Sequence, residues 1–367
     1  MARSTIDLDL EQMPAPPTRK DWRIGCVGAG FIMADIQIPA YLAAGYQVAA
    51  IASRTEAHAR AVAARHGIET VHAGWRELLD DERVQVVDIA FPPDQQLEIV
   101  AAACRKDHVE GILVQKPIAA DYAEARKAVE ACANSNKTLA VNQNMRYDQS
   151  MRALKTALDR GYLGEPVLAT IEMRAIPHWQ TFLEDTDRLT LANMSVHHLD
   201  VFRHLFGDPE GIFVSARADP RTTFEHRDGI CLYILEYANG LRASAWDDVW
   251  SGPVREGSEG DIYIKWRVEG TEGLAWGTIG WPYYPTPTPS TITFTTAQQP
   301  GYVFQPKWTE VWFPDAFAGT MGALFTALDG GENVLSGEGN LATMALIEAG
   351  YRSLDEKRLV RVDEITA

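Results

Sequence analysis

Residues 22–33 read WRIGCVGAGFIM, and this stretch decides the fold. The apolar run predicts a buried strand, the two glycines predict a tight turn, and the residues after them open a helix. Gly28 permits the turn, and Gly30 lets the backbone approach a pyrophosphate, which would bind at the helix N-terminus. Met33 stands where the G-x-G-x-x-G fingerprint has its third glycine, so helix and strand cannot pack as closely there.

The surrounding pattern supports a dinucleotide site at this turn. Up to about Asn144, short apolar runs alternate with stretches of helical length, as in QVAAIAS followed by EAHARAVAARHG. This alternation predicts βαβ units and a parallel sheet covered on both faces. Phe31 and Ile32, at the start of the first helix, are then predicted to contact the cofactor. The alternative is a glycine turn with no ligand.

The end of the second predicted strand bears on which cofactor is bound. A ribose 2′-hydroxyl is usually held by an acid at this point, but the strand ends in Ala52-Ser53-Arg54-Thr55. Ser53 and Arg54 suit a 2′-phosphate better, which favours NADP. Alternatively, Arg54 stacks on the adenine and NAD is accepted too. Phe91 and Pro92, after a later strand, would line the crevice beside the cofactor, or simply form a turn that ends the strand.

The second half of the chain has a different character. Strand-like segments without regular intervening helices fill 166–313, a helix over about 192–206 interrupts them, and the tail returns to helices and a strand-like RLVRVDEI. The predicted fold is thus a parallel α/β domain followed by an α+β domain with an open-faced, mostly antiparallel sheet. We predict a loose arm at 1–20, a nucleotide domain at 21–147 and a substrate and oligomerisation domain at 148–367.

Composition excludes several classes of function. The 367 residues carry a net charge of −16, which argues against a nucleic-acid partner. No run approaches 18 apolar residues and no signal-peptide core is present, so we expect a cytoplasmic protein without a membrane partner. The four cysteines lack CxxC spacing and are expected to be reduced and mostly buried: Cys26, Cys104, Cys132 and Cys231.

An amine follows one of the buried strands. Residues 112–117 read ILVQKP, so Lys116 stands at the carboxyl end of an apolar strand, next to Pro117. Ligands of open α/β sheets bind at the carboxyl ends of the strands, which would direct the amine into the crevice where the nicotinamide lies. The alternative is a lysine that merely extends to solvent from a strand end.

The interrupting helix carries a stripe of ionisable residues. His197, Asp200 and His204 are spaced i, i+3, i+7 and share one face, whereas His198 lies off it. General acid/base catalysis by His197 is the favoured interpretation, because oxidation of an alcohol requires removal of a hydroxyl proton. A metal site and a structural histidine cluster are the alternatives. No second ligand pair appears, so we predict no metal.

Further candidates lie near the end of the first domain and in the second. Asn142, Asn144, Arg146 and Tyr147 follow the last predicted strand of the first domain. Asn144 is assigned to the cofactor, and Arg146 either clamps a substrate or bridges the domains. His178 and Trp179, after the first strand of the second domain, could close over a sugar or simply pack on the sheet. Three further residues could reach the site, and none is assigned singly: Asp247, Asp248 and Arg255.

Taken together, these motifs resemble those of the Gfo/Idh/MocA oxidoreductases, over about residues 23–362. The resemblance is carried by GAGFI at 28–32, QKP at 115–117, NQNMRY at 142–147, VHHLDVFRHLFG at 196–207 and SGEGNLATMALIEAGYRS at 336–353.

The resemblance implies a Rossmann domain, Lys116 as the residue that orients substrate and cofactor, and His197 of an H-x-x-D motif with Asp200 as acid/base. Where many members carry an aspartate, this chain has Asn193, whose amide cannot relay a proton. Likewise, QKP replaces the usual EKP.

We therefore expect an NAD(P)-dependent oxidoreductase that moves a hydride between nicotinamide and a secondary alcohol or carbonyl of a sugar, polyol or sugar derivative. Asn193 and His198 are included among its substrate contacts. The alternatives are an NAD-dependent glycoside hydrolase of the same fold, or a non-catalytic NAD(P)-binding sugar sensor or corepressor. The aromatic-rich open face of the second sheet is expected to form a homodimer or tetramer, because large apolar sheet surfaces seldom stay solvated.

Overall fold

The computed structural model describes residues 6–174, 181–222, 224–248, 262–281 and 284–366. The chain divides into two compact units. The parallel-sheet unit comprises residues 15–144 and 314–344, and the mixed-sheet unit comprises the residues up to 14 together with 145–313 and 345–367.

In the parallel-sheet unit, the described strands form a six-stranded sheet of order β3-β2-β1-β4-β5-β6, in which every pairing is parallel. This order reverses between β1 and β4, which is where doubly wound sheets bind dinucleotides. The strands are β1 Arg23–Val27, β2 Gln47–Ala52, β3 Thr70–His72, β4 Val86–Ile89, β5 Gly111–Val114 and β6 Thr138–Val141.

Helices connect these strands, and their buried faces are rich in alanine and branched aliphatic residues. The first helical segment starts as a π-helix, Ile32–Gln37, and continues as α1. The strand β3 and helix α3 were not predicted, because both are too short to show a period. The helices are α1 Ile38–Ala43, α2 Glu56–His66, α3 Trp75–Asp80, α4 Pro93–Ala103, α5 Tyr122–Asn134 and, from the tail, α9 Asp315–Leu328.

The described strands of the mixed-sheet unit form an eight-stranded sheet of order β13-β12-β11-β7-β10-β9-β8-β14. Only the β7–β10 pair among these strands is parallel, as an open, mostly antiparallel sheet requires. The strands are β7 Pro166–Arg174, β8 Gly211–Arg217, β9 Ile230–Glu236, β10 Arg242–Asp248, β11 Tyr263–Gly270, β12 Gly273–Ile279, β13 Thr291–Thr296 and β14 Val360–Arg361.

Buried and exposed residues alternate along these strands, so one face of the mixed sheet packs on helices and the other is open. Trp266 of β11, for example, donates its indole N–H to Ser150 of α6 at 3.1 Å. The helices of this unit are α6 Gln149–Asp159, α7 Thr190–Asn193, α8 Ser195–Phe206, α10 Gly337–Glu356, whose first turns group with the other unit, and α11 Asp363–Thr366.

Three segments differ from the sequence expectations. Residues 6–14 do not form a loose arm: Leu10 is buried, and Arg152 of α6 donates to the Glu11 carbonyl. Residues 314–344 group with the parallel sheet, because Leu324 and Leu328 of α9 pack over Gly111 of β5. The strand-like tail pairs over Val360–Arg361 alone and then turns into α11.

All four cysteines are free thiols, and Cys104 alone is partly exposed. Among the described residues, no helix is both long enough and apolar enough to cross a membrane.

Candidate active site

The glycine turn has the geometry of a dinucleotide cradle. Gly28 has φ +124°, and a Cβ there would lie 2.6 Å from the Ala90 carbonyl oxygen, so glycine is required. A Cβ on Gly30 would meet no atom within 4 Å, which leaves open space in front of the helix that Phe31 and Ile32 begin. Met33 is fully buried beneath it. Space at Gly30 and a helix N-terminus are what a pyrophosphate needs, and the residues present fit this group.

Two further cofactor candidates flank the turn. Gly28 donates its N–H to Ala52 at the end of β2, and the chain continues directly into half-buried Ser53 and exposed Arg54. Within the described part of the chain, Arg54 has no ion-pair partner. On the other side, Phe91 and Pro92 are half-buried and lead into α4, where Pro92 is the N-cap.

Lys116 lies where the sequence places it, directly after Gln115 at the carboxyl end of β5. Burial lowers the pKa of the Lys116 ammonium to about 7, although part of the residue's surface remains accessible. A lowered pKa of this size marks Lys116 as a candidate functional amine, because a solvated lysine keeps a pKa about three units higher.

The backbone around Lys116 is held by a single side chain of α4. The Gln96 amide donates to the carbonyls of Gln115 (3.1 Å), Pro117 (2.8 Å) and Ile118 (3.2 Å). In return, the Gln115 N–H donates both to the side-chain carbonyl oxygen of Gln96 at 3.0 Å and to the backbone carbonyl of Ile89 at 3.0 Å. Gln96 is fully buried, and its role was not predicted because its spacing belongs to no motif.

A second buried network anchors the side chain of Gln115. Its amide donates to the Gln37 carbonyl oxygen at 2.9 Å, and the Gln37 amide donates to Asp88 of β4 at 2.6 Å. The Tyr41 hydroxyl donates to the same carboxylate oxygen at 2.7 Å. Burial raises the pKa of Asp88 to about 7, although the bonds from Tyr41 and Gln37 act against this rise.

The residues after β6 are buried as well. Asn144 donates its amide to the Asn142 carbonyl at 3.1 Å, so it shapes this turn. The side-chain amide of Asn142 is buried, and no protein group within the described residues bonds to it.

In the mixed-sheet unit, α8 presents the predicted acid/base residue. His197 is 7% exposed, and its ring lies edge-on to Trp312 with the centroids 5.9 Å apart. Asn193 closes the preceding short helix α7 and is also buried. That helix begins where Asp228 accepts the N–H groups of Leu189 (2.9 Å) and Leu191 (2.7 Å).

Asp200, one turn along α8, is tied to Arg146. The guanidinium donates two hydrogen bonds, Nε to Oδ2 at 2.5 Å and Nη2 to Oδ1 at 2.7 Å. This bidentate pair is buried, and it favours a positioning role over a substrate clamp for both residues. Burial, reinforced by the charge of Arg146, lowers the pKa of neighbouring His204 to about 4. No metal-binding group of three or more ligands occurs among the described residues.

His198 faces the core. It has no exposed surface, and its Nδ1 lies 3.0 Å from Oδ1 of Asp247 on β10, without the alignment of a hydrogen bond. The Ser195 hydroxyl donates to the other oxygen of Asp247. This position favours a packing role for His198 over the substrate contact suggested by the sequence. Asp248 is paired with Arg221 and Arg174. His178, Trp179 and Arg255 lie outside the described residues.

Two family models match the chain. The model of the oxidoreductase family with the NAD-binding Rossmann fold matches residues 22–143, and the GFO/IDH/MocA C-terminal domain matches residues 151–275. The chain belongs to the Gfo/Idh/MocA oxidoreductases. The resemblance inferred from the motifs is thereby confirmed, as is the predicted fold class.

Named members of the Gfo/Idh/MocA family are similar to this chain over nearly its whole length. D-apiose dehydrogenase of Rhizobium rhizogenes is 27% identical over 342 residues, 92% of this chain and 96% of that protein. Inositol 2-dehydrogenase of Rhizobium meliloti is 25% identical over 348 residues, 93% of this chain and 99% of that protein. The expected enzyme class, a dehydrogenase or reductase, is confirmed.

Solved structures share the fold. An oxidoreductase from Agrobacterium radiobacter, in complex with NAD⁺, L-tartaric acid and magnesium, superposes with a TM-score of 0.81 at 23% identity. It covers 94% of this chain and 99% of its own. Levoglucosan dehydrogenase in complex with NADH has a TM-score of 0.76 at 20% identity, over 93% of this chain and 99% of its own. The NAD-binding Rossmann fold is thus established for this oxidoreductase.

Proposed function

We propose that this oxidoreductase transfers a hydride between a nicotinamide cofactor and a secondary alcohol or carbonyl of a sugar, polyol or sugar derivative. The observation that carries the proposal is Lys116, a buried amine with a pKa of about 7, held at the carboxyl end of β5. The named dehydrogenases of apiose and inositol, similar over more than nine-tenths of the chain, support this substrate class.

Each residue has a distinct role in the proposed reaction. When bound, the nicotinamide accepts or gives the hydride. In its ammonium form, Lys116 donates a hydrogen bond to the reacting oxygen and stabilises the negative charge that develops on it. His197 in its neutral form accepts the hydroxyl proton during oxidation and returns it during reduction. Asp200 and Arg146 keep α8 in place through their ion pair. Asn193 is included among the substrate contacts as a neutral hydrogen-bonding side chain.

The proposed cofactor is NADP in preference to NAD. Arg54 supports this, since it follows β2 directly, is exposed, and has no ion-pair partner among the described residues. In Arg54→Ala, we expect the KM for NADP⁺ to rise roughly tenfold, the loss of one exposed charge-assisted contact, while the KM for NAD⁺ stays within about twofold. Equal changes for both cofactors would assign Arg54 to the shared part of the dinucleotide.

We also propose a homodimer or tetramer formed through the open face of the mixed sheet. Four large apolar side chains of this sheet are each more than one-third exposed: Phe213 on β8, Leu232 and Ile234 on the adjoining β9, and Trp276 on β12. Phe213 and Ile234 are direct cross-strand partners. Light scattering of the wild type beside Ile234→Lys tests this: the wild type should exceed the monomer mass and the variant should not. A monomeric wild type at micromolar concentration contradicts the proposal.

The activity itself is tested with purified protein, the four nicotinamide cofactors, and a panel of aldoses and polyols that includes D-apiose and myo-inositol. We expect the nicotinamide absorbance to change with at least one compound. Release of an aglycone from a glycoside with no net change in cofactor would indicate the hydrolase instead. Tight cofactor binding without turnover on any compound would indicate a sensor.

A further inference from the structure

Gln96 makes an unusual number of contacts with one short turn. Its side chain spans 19 residues of sequence to reach both sides of Lys116, where it accepts one backbone N–H and donates toward three carbonyls. The two hydrogens of one amide are shared among these three oxygens. The Gln115 N–H also donates to the backbone carbonyl of Ile89 at 3.0 Å, so Gln96 adds to backbone pairing there, and its amide serves the three carbonyls around Lys116. A side chain bonded on both sides of the turn in this way fixes its path, because buried backbone polar groups must be paired.

Gln96 lies between two segments that are predicted to flank the nicotinamide, the one with Phe91 and Pro92 and the turn with Lys116. It lies one turn into α4, the helix that begins directly after Phe91 and Pro92. The turn that it holds carries Lys116 and leads to α5, whose first turn is capped by Asp121. Gln96 therefore joins the segment predicted to flank the cofactor to the segment that carries the amine.

We propose that Gln96 is the positioning residue of Lys116: its amide holds residues 115–118 so that the amine stays buried and directed at the reacting oxygen. This inference rests on the proposed function, since it assigns Lys116 a part in the reaction. It also has a consequence that does not depend on activity. If the turn loosens, the amine gains access to water, and the burial that lowers its pKa is reduced.

The partners of the turn are neutral amides, and this agrees with the proposal. Gln96 and Gln115 are uncharged, and the ionisable groups of the adjoining network, Asp88 and Tyr41, are reached through Gln37. Gln96 and Gln115 therefore hold the backbone on both sides of the amine without themselves adding a charge beside it. The adjoining network also gives a physical reason for Gln115 where the family usually has glutamate: a carboxylate there would face Gln37 and Asp88 in a buried network.

The test compares Gln96→Met with Gln95→Met. Methionine keeps the volume of glutamine but makes none of the four hydrogen bonds, and Gln95 is the neighbouring glutamine, with no side-chain bond in the network. The titration of Lys116 is followed by the pH dependence of its reaction with acetic anhydride, quantified by mass spectrometry of the peptide that contains it. Turnover and the KM for cofactor are measured in parallel.

We expect the pKa of Lys116 to rise by about one unit or more in Gln96→Met and to stay unchanged in Gln95→Met. Turnover should fall roughly 10- to 100-fold in Gln96→Met, with the KM for cofactor within about twofold, because a small displacement of a reacting group is costly. An unchanged Lys116 titration together with unchanged turnover would overturn the inference.

Two further variants keep the result decisive. Gln96→Asn retains an amide but shortens it by one methylene, so it should show the same changes at smaller size if Gln96→Met does not fold. Lys116→Ala separates this inference from the proposed function. If that variant retains turnover, the assigned role of Lys116 fails, while the titration of Lys116 in Gln96→Met still decides whether Gln96 holds the turn.

Discussion

The two proposed catalytic side chains are held in place by different chemistry. The Lys116 turn is held by neutral amides, chiefly Gln96 and Gln115. The helix of His197, in contrast, has charged side chains beside it: the Arg146–Asp200 ion pair and the carboxylate of Asp247, next to His198. The difference shows how a fold can tune one amine: the amides that hold the backbone at residues 115–118 add no charge of their own beside Lys116, whereas charged side chains are tolerated beside helix α8.

His197→Ala removes the proposed acid/base group from α8, the helix with charged side chains beside it. This variant should have the largest effect on turnover. We expect turnover to fall roughly 10³-fold, because the variant has no group to take the hydroxyl proton. Cofactor affinity, measured by tryptophan fluorescence, should stay within about twofold. His198→Ala is the matched comparison, and it should lower thermal stability more than it lowers turnover. Wild-type turnover in His197→Ala would refute the assignment.

Asp200→Asn tests the ion pair that supports the same helix. It leaves the Arg146 guanidinium buried without its carboxylate, so the free energy of unfolding should fall by about 3 kcal/mol. Chemical denaturation measures this loss, and Arg146→Met/Asp200→Leu should recover part of it because both charges are then absent. A change below about 0.5 kcal/mol would show that the pair behaves like an exposed salt bridge.

Asp88→Asn tests the buried network that anchors Gln115, through the pH dependence of the free energy of unfolding. Asp88 has a folded pKa of about 7 against about 4 in the unfolded chain, so the folded state holds a proton that the unfolded state has lost. The contribution of Asp88 to stability is therefore fully present below about pH 4 and is lost as the pH rises to about 7, by roughly 2–4 kcal/mol. Asp88→Asn should lack this contribution, so its loss of stability between pH 4 and pH 7 should be smaller than that of the wild type. Chemical denaturation of both proteins at pH 4 and pH 7 measures this difference. The same change in the free energy of unfolding for the wild type and for Asp88→Asn would contradict the prediction.

Gln115→Glu introduces a charge among the neutral amides of Gln96, Gln115 and Gln37. It should have the smallest effect on activity. A carboxylate next to Lys116 favours the ammonium, so the pKa of the amine should rise by about one unit. Because the ammonium is the active form, the alkaline fall in kcat/KM should shift to higher pH by the same amount. The pH–rate profile measures this shift, with Gln115→Met as the uncharged control. A shift to lower pH would contradict the proposed role of the ammonium.

The sequence predicts those parts of the molecule that depend on local pattern. The glycine turn, the strand that ends at Lys116 and the helix of His197 are each set by residues close together in the chain, and the structure has all three. The match to the family confirms the fold that they imply. The role of each site residue remains a proposal.

The hydrogen bonds and the ion pair that hold the site residues could not be predicted from the sequence, because the bonded residues are far apart in the chain. Gln96 bonds to the turn across 19–22 residues, Gln37 reaches Asp88 across 51, and Arg146 reaches Asp200 across 54. A lone glutamine or aspartate in an apolar strand has no period or spacing to mark it. An acid inside a buried strand, as Asp88 is in VVDI, needs a partner, but the sequence does not show which distant residue supplies it.

Lys116→Ala tests the central claim most directly. Turnover of this variant and of the wild type should be compared on the sugar or polyol that the wild type oxidises fastest, with cofactor affinity measured on the same samples. We predict cofactor affinities within about twofold of each other and a turnover lower by at least roughly 10²-fold, since the variant loses the donor to the reacting oxygen. Equal turnover in the two proteins would contradict the account, and Lys116 would then serve only the fold.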